Sequence, residues 1–359
     1  MAPIDIRKLE EYTPLPREQF RERFMRRFHD PAFDDMRQEL DRLCERAYDG
    51  YLESRKWPRT VPLGEGFADP YLEVAPEWLE TRRRIEAAEA TQRDADSPSR
   101  ILLINGSTRT SSSCPGESSK TRRLVAAART AIEAQDGFEV DFLDISELAY
   151  EPLKVIYPCK ACVSTAMPLC HWPCSCYPNY ATGQTDDWMN ELYPRWVATH
   201  GVMILCPVHW YQAPASLKLM IDRLVCADGG NPDISSTGGK DPKKAKELEL
   251  AGWDYPRHLA GRAYAVVAHA DAAGAGNLRR ALSDWLSDIG LIQASPTAVR
   301  GTYIGYYRPY ATSHQELDAD PDVFTEVENA ALSLCEIVRQ LRAGDYRPAD
   351  RGLEEPRPK

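Results

Sequence analysis

From Arg100 to Tyr303 the chain alternates short runs that are apolar from end to end with stretches of amphipathic helical period, and this alternation decides the fold class. A strand wetted on one face alternates apolar and polar residues, whereas one apolar throughout must be covered on both faces. Residues 101–105, 202–206 and 263–268 are such runs, 140–143 is a further strand candidate, and 298–303 supplies a fifth. Between them, residues 118–134, 186–200, 213–227 and 278–289 have helical character. The expectation is an α/β fold with a doubly wound, five-stranded parallel sheet in the order 2-1-3-4-5. Its ligand belongs beyond the carboxyl ends of the strands, at the switch between the first and third.

The first 99 residues are a different kind of sequence, denser in charge. Phe20, Phe24 and Phe28 recur every four residues among arginines, and Leu40, Leu43, Ala47 and Tyr51 do likewise, with Asp30-Pro31 as the break. This is the period of amphipathic helices, and the aromatic stripe is a docking face for the chain's own core or for a sister subunit. Residues 57–80 read as an extended segment and 94–99 as a polar linker. The expected organisation is a helical N-terminal extension over 1–99, a sheet domain over 100–320 interrupted by an excursion at about 228–260, and a C-terminal helix and tail over 321–359.

Charge narrows the function classes. Lys plus Arg is 44 against 54 for Asp plus Glu, a net charge of −10 that disfavours nucleic acid as a partner. No run approaches the roughly 18–20 apolar residues a membrane span needs. Asp5, Arg7, Lys8, Glu10 and Glu11 stand where a secretory signal would need an apolar core, so cytoplasm is the expected location. The ten cysteines then read as buried thiols or ligands rather than disulfides.

Three loops at one sheet edge carry the chemistry. The first strand runs into Gly106-Ser107-Thr108-Arg109 and on through Glu117-Ser118-Ser119-Lys120-Thr121, where a helix begins. Hydroxyls, two cations and a helix amino end are what a phosphate monoester requires. A GxGxxG loop would need glycine where Thr108 stands, a Walker loop glycines at Cys114 and Ser119, and a cysteine phosphatase arginine at Lys120. The third strand ends in Pro207-Val208-His209-Trp210-Tyr211, a flat aromatic wall with exposed amides for an aromatic ligand. The fourth ends in His269-Ala270-Asp271-Ala272-Ala273-Gly274, small residues that permit close backbone approach.

The runs INGSTR, SKTRRL, CPVHWYQAPASLKLMIDRL and AHADAAGAG together resemble the NAD(P)H-dependent FMN reductase branch of the flavodoxin-like flavoproteins, over roughly residues 100–300. The resemblance implies a flavodoxin-like fold in which Ser107, Arg109, Ser119, Lys120 and Thr121 hold the FMN phosphate. It implies that Pro207, Val208, His209, Trp210 and Tyr211 border the isoalloxazine ring and that His269, Ala270, Asp271 and Gly274 close its other edge. The phosphate loop is longer than the family pattern by the stretch TSSSCPGE, and residues 1–99 and 228–260 lie outside the resemblance.

Cys159, Cys162, Cys170, Cys174 and Cys176 fall within 18 residues. Such a cluster can wrap an iron-sulfur centre such as [4Fe-4S], or zinc, or consist of packing thiols, with His171 a further ligand candidate. Iron-sulfur flavoproteins of this fold carry a similar motif in this place, although Thr165 stands where a third closely spaced cysteine would be expected. Cys206 and Cys226 read as core residues. The main expectation is an FMN-dependent oxidoreductase that takes hydride from NAD(P)H and reduces a flavin, quinone or similar small-molecule acceptor, working as a homo-oligomer. No side chain is needed as acid, base or nucleophile; Trp210 and His269 are ring contacts. The alternative is an iron-sulfur flavoprotein acting in electron transfer.

Overall fold

The computed structural model describes residues 4–8, 10–53, 59–114, 116–152, 154–348 and 352. The first residues of the chain, residues 57–58 of the expected extended segment, Pro115 of the long loop and most of the expected tail lie outside them. The described chain forms two compact units that do not follow its linear order. One gathers residues up to Glu80 with Lys160–Asp187 and Pro232–Trp253; the other holds Thr81–Cys159, Trp188–Asn231 and the chain from Asp254.

The larger unit is built on a parallel sheet of β1 (Ser99–Asn105), β2 (Phe138–Asp144), β3 (Gly201–Pro207), β4 (Ala263–Ala270), β5 (Ile292–Gln293) and β6 (Val299–Tyr303). The spatial order is β2-β1-β3-β4, and both β5 and β6 pair with β4. Six strands stand where five were expected: the fifth, expected at 298–303, is present as β6, and the two-residue β5 is an addition beside it. The 3-10 turn Pro296–Ala298 separates β5 from β6, and a proline offers the ladder no N–H. Ile101 to Ile104, Val202 to Cys206 and all of β4 are buried, as continuous apolar strands require.

Helices α1 (Lys120–Glu133), α2 (Met189–Ala198), α3 (Ala215–Arg223), α4 (Ala275–Asp288) and α5 (Pro321–Ala343) accompany the strands. Leu124, Ala128 and Ile132 of α1 and Val327, Leu334 and Val338 of α5 form one core with Ile101, Leu103, Met203, Leu205 and Val267. The C-terminal helix is therefore part of the sheet's cover rather than an appendage. A Cβ at Gly201 would come within 2.9 Å of Ile101 and of Val338, which shows how tightly α5 presses on β3. Trp196 of α2 meets Trp285 of α4 at 5.9 Å between ring centroids, and Tyr264 of β4 bonds to Ser287 Oγ at 2.9 Å.

In the smaller unit, helix Arg17–Met25, the turn Arg26–Phe28 and helix Arg37–Leu52 form a hairpin. Asp30 caps the second 3-10 turn between the helices, Pro31–Met36, by accepting from Ala32 N–H at 2.9 Å. The phenylalanine stripe docks on the same chain: Phe20 lies 5.2 Å from Tyr48 and 5.1 Å from Tyr51, and Phe28 lies 5.5 Å from Phe33. Strands Val61–Pro62 and Glu73–Val74 pair antiparallel, and Leu63, Val74 and Trp78 bury Ile234 of the excursion. Trp78 Nε1 donates to Pro173 O at 3.1 Å, bringing the cysteine segment into the same unit. Among the described residues no helix is long and apolar enough to cross a membrane.

Candidate functional site

The register Asn105↔Leu205 and Pro207↔His269 brings the carboxyl ends of β1, β3 and β4 level, and the loops leaving them enclose a cavity of about 560 Å³. Gly106 can turn there because it lacks a side chain: a Cβ would lie 3.0 Å from Leu205 O and 3.1 Å from Leu217. Ser119 caps α1, its hydroxyl accepting from Arg122 N–H at 3.1 Å, which leaves the helix's positive end facing the cavity wall. Arg109 NH2 donates to Glu117 O at 2.9 Å, yet its Nε is buried with no hydrogen-bond partner among the described residues. A buried guanidinium N–H without an acceptor costs a few kcal/mol, so this atom fits an anion that the cavity is shaped to receive.

Thr121, fully buried, meets His269 Nε2 at 2.8 Å. Burial, with the Lys120 and His209 charges adding to it, lowers the His269 pKa to about 3, so the imidazole stays neutral at physiological pH. A neutral ring protonated on Nε2 donates to Thr121 and leaves the hydroxyl proton for an acceptor in the cavity. Lys120 pairs with Asp271, and both line the cavity. Val208 N–H donates to His269 O at 2.9 Å, and the backbones of His209 and Gln212 bond reciprocally at 2.9 and 3.0 Å. That tight turn puts Trp210 and Tyr211 at φ 48° and 67°, in the left-handed region.

Residues 99–302 match the family model for NADPH-dependent FMN reductase, more than half of the chain. The chain belongs to the NADPH-dependent FMN reductase family. Its fold is α/β and flavodoxin-like, with the β2-β1-β3-β4 order of a doubly wound sheet. An iron-sulfur flavoprotein of Methanosarcina thermophila is 29% identical over 126 residues, which are 35% of this chain and 52% of that protein. The aligned region thus spans about half the length of that relative. Among solved structures, RosB with the bound intermediate 8-demethyl-8-formylriboflavin-5'-phosphate is similar at 14% identity and a TM-score of 0.48, over 69% of this chain and 81% of that one. An NADH:FMN oxidoreductase in its apo form gives 15% identity and a TM-score of 0.36, over 72% and 96%.

In this FMN reductase family member the expected phosphate residues Ser107, Arg109, Ser119, Lys120 and Thr121 all line the cavity, as do Pro207, Val208, His209, His269, Ala270 and Asp271. Trp210, Tyr211 and Gly274 do not. Trp210 is 95% and Tyr211 54% exposed, because the left-handed turn aims them outward. Gly274, at φ +90°, lies under that turn, where a Cβ would come within 2.9 Å of Val208 and 3.1 Å of Tyr211 Cα. It supports the wall instead of lining it. Sequence reasoning missed Glu117, Ser118, Tyr310, Ala311, Ser313 and His314, which also line the cavity. The signal for the last four was topological: they follow the carboxyl end of β6, at the same sheet edge as the other loops.

Among the described residues no three histidine, cysteine or acidic side chains are placed to hold one metal ion. The sulfurs of Cys162 and Cys176 meet at 3.2 Å, and Lys240 Nζ stands 2.8 and 2.7 Å from them. Cys176 and the Lys240 ammonium, both hydrogen-bonded to Cys162, bring its pKa down to about 6 against the effect of burial. An ammonium in contact with both sulfurs occupies the ground a cation would need between them, so Cys162 and Cys176 as placed do not fit a zinc or iron-sulfur centre. His171 is likewise committed. It is buried, lies 2.6 Å from Ser175 Oγ and 3.0 Å from Thr237 Oγ1, and burial lowers its pKa to about 3.

Proposed function

We propose that the cavity above β1, β3 and β4 holds FMN by its phosphate, and that the protein takes hydride from NAD(P)H and delivers electrons to a small aromatic acceptor such as a free flavin or a quinone. The observation that carries this reading is the buried Arg109 Nε, which has no hydrogen-bond partner among the described residues, beside the capped amino end of α1. A dianionic phosphate supplies the acceptors this corner lacks, and the helix dipole favours its charge.

When bound, FMN supplies the redox chemistry, accepting a hydride equivalent and releasing electrons one or two at a time. The chain's own residues do the rest. Arg109 and the Thr121 hydroxyl donate to the phosphate, Ser107 and Ser118 offer further hydroxyls, and Lys120, held by Asp271, adds positive charge without entering the anion's place. Pro207, Val208 and His209 form a wall for the ring. The exposed Trp210 and Tyr211 flank that wall, where they can stack on an incoming nicotinamide or acceptor.

Anaerobic mixing of the FMN-loaded protein with NADPH or NADH tests the reading. Bleaching of the flavin absorbance, reversed on adding a quinone, is the expected result. A flavin that stays oxidised with both nucleotides would refute nicotinamide dependence.

A further inference from the structure

The smaller unit contains a cluster of reactive groups that the flavin cavity does not use. Three stretches of chain meet there. Cys162 opens a 3-10 turn after Ala161, which is held left-handed at φ 48°; Cys176 follows the loop that starts at His171; Lys240 arrives from the excursion, just past the turn at Gly238 and Gly239. His171 ties two of these stretches together, bonding Ser175 on the cysteine loop and Thr237 three residues before Lys240. Thr237 in turn donates to Gly239 O at 2.8 Å. The result is two sulfurs 3.2 Å apart with one ammonium 2.8 and 2.7 Å away.

That arrangement suits thiol chemistry. A fixed positive charge stabilises the thiolate, which is the nucleophilic form, and a second sulfur in contact is placed to attack the oxidised first one. Exposure divides the roles: Cys176 is 5% exposed, whereas Cys162 is partly open to solvent, so a solute reaches Cys162 first.

We propose that Cys162, Cys176 and Lys240 form a second redox site, a dithiol in which Cys162 reduces a hydroperoxide and Cys176 closes the product to a disulfide. The Cys162 thiolate attacks one peroxide oxygen; an S–O bond forms as the O–O bond breaks. The departing alkoxide or hydroxide takes a proton from Lys240. Cys176 sulfur then attacks the Cys162 sulfenic acid, the S–S bond forms, and the leaving hydroxide departs as water with the Cys176 proton. Lys240 regains its proton from solvent, replacing the one Cys162 gave up. The two sulfurs together lose two electrons and the hydroperoxide gains two, so two thiols and one hydroperoxide yield one disulfide, one water and one alcohol, or a second water when the oxidant is hydrogen peroxide.

The test uses the full-length protein and hydrogen peroxide, followed by alkylation and peptide mass mapping. The expected product is a Cys162–Cys176 linked peptide, two hydrogens lighter and restored by dithiothreitol. Cys176→Ser should stop at a sulfenic acid on Cys162 that dimedone traps. Lys240→Met should slow the reaction at least tenfold, and Lys240→Arg, which keeps the charge, should stay within a few fold of the native rate. FMN binding, read in parallel on each variant, shows that the chain has folded. Equal alkylation of Cys162 and Cys176 before and after peroxide would overturn the proposal. So would oxidation that falls on Cys159, Cys170 and Cys174 as readily, or stoichiometric iron or zinc in the purified protein that is lost in Cys162→Ser.

Discussion

Arg109 concentrates the argument at the scale of single residues. Its NH2 is anchored on Glu117 O while its buried Nε has no acceptor among the described residues, so the side chain is oriented before any ligand arrives. Arg109→Ala should raise the FMN dissociation constant by about 10- to 100-fold, the worth of one charge-assisted hydrogen bond. Fluorescence titration reads it, and an unchanged constant would place the phosphate elsewhere. Gly274 tests the wall in the same way. At φ +90° and 2.9 Å from Val208, an added methyl group is strained by its backbone and by its neighbour, so Gly274→Ala should cost about 1–3 kcal/mol in chemical denaturation. Most of the cavity's residues were legible in the sequence, because Ser107, Arg109, Lys120, Thr121 and His269 sit in loops whose residue types state their chemistry. Trp210 and Tyr211 were legible as aromatic but not as outward-facing, since that depends on the left-handed turn closed between His209 and Gln212.

Among the elements, α1 links fold and site. Its apolar face, Leu124, Ala128 and Ile132, packs under the sheet while its amino end forms part of the cavity. Ser119 serves both, and Ser119→Ala removes its hydrogen bond to Arg122 N–H. The expected loss is about 1 kcal/mol of stability by denaturant titration together with weaker FMN binding. A loss of stability with binding untouched would separate the cap from the anion site. The strands were readable because burial on both faces leaves no polar position to confuse the pattern. The short strand Ile292–Gln293 was not, as it pairs with β4 over two residues only, before Pro296 interrupts the ladder. The segment Tyr310–His314 carries no motif at all; only its place after β6 brings it to the cavity. Lys240 was equally invisible, because cysteine spacing says nothing of a lysine 64 residues beyond Cys176.

At the scale of the whole molecule, buried histidines make stability depend on pH. Burial lowers His171 and His269 to about 3 and His200 to about 4, each from a usual value of 6.5. The unfolded chain therefore binds more protons than the folded one between these limits. Their contribution is complete above pH 6.5 and is lost as the pH falls toward 4 and then 3. Unfolding free energies from denaturant titration should drop between pH 7 and pH 5 by an amount on the order of 2 kcal/mol for each ring, about 5–6 kcal/mol for the three together, at about 1.4 kcal/mol per pH unit for each group at the steepest. Equal midpoints would mean that these rings are not buried neutral. The sequence set the charged first hundred residues apart from the sheet, but it did not reveal that the chain from Thr81 belongs to the sheet unit, nor that the cysteine segment and the excursion fold with the residues up to Glu80. Those contacts, Ile234 beneath Trp78 and His171 on Thr237, join positions far apart in the chain.

The most direct measurement compares FMN with riboflavin, which has the same ring and no phosphate, in fluorescence titrations of the full chain. A site anchored at Arg109, Thr121 and the amino end of α1 binds FMN one per chain and riboflavin at least tenfold more weakly, with the difference shrinking in Arg109→Ala. Equal affinity for the two, or no binding of either, would contradict the account.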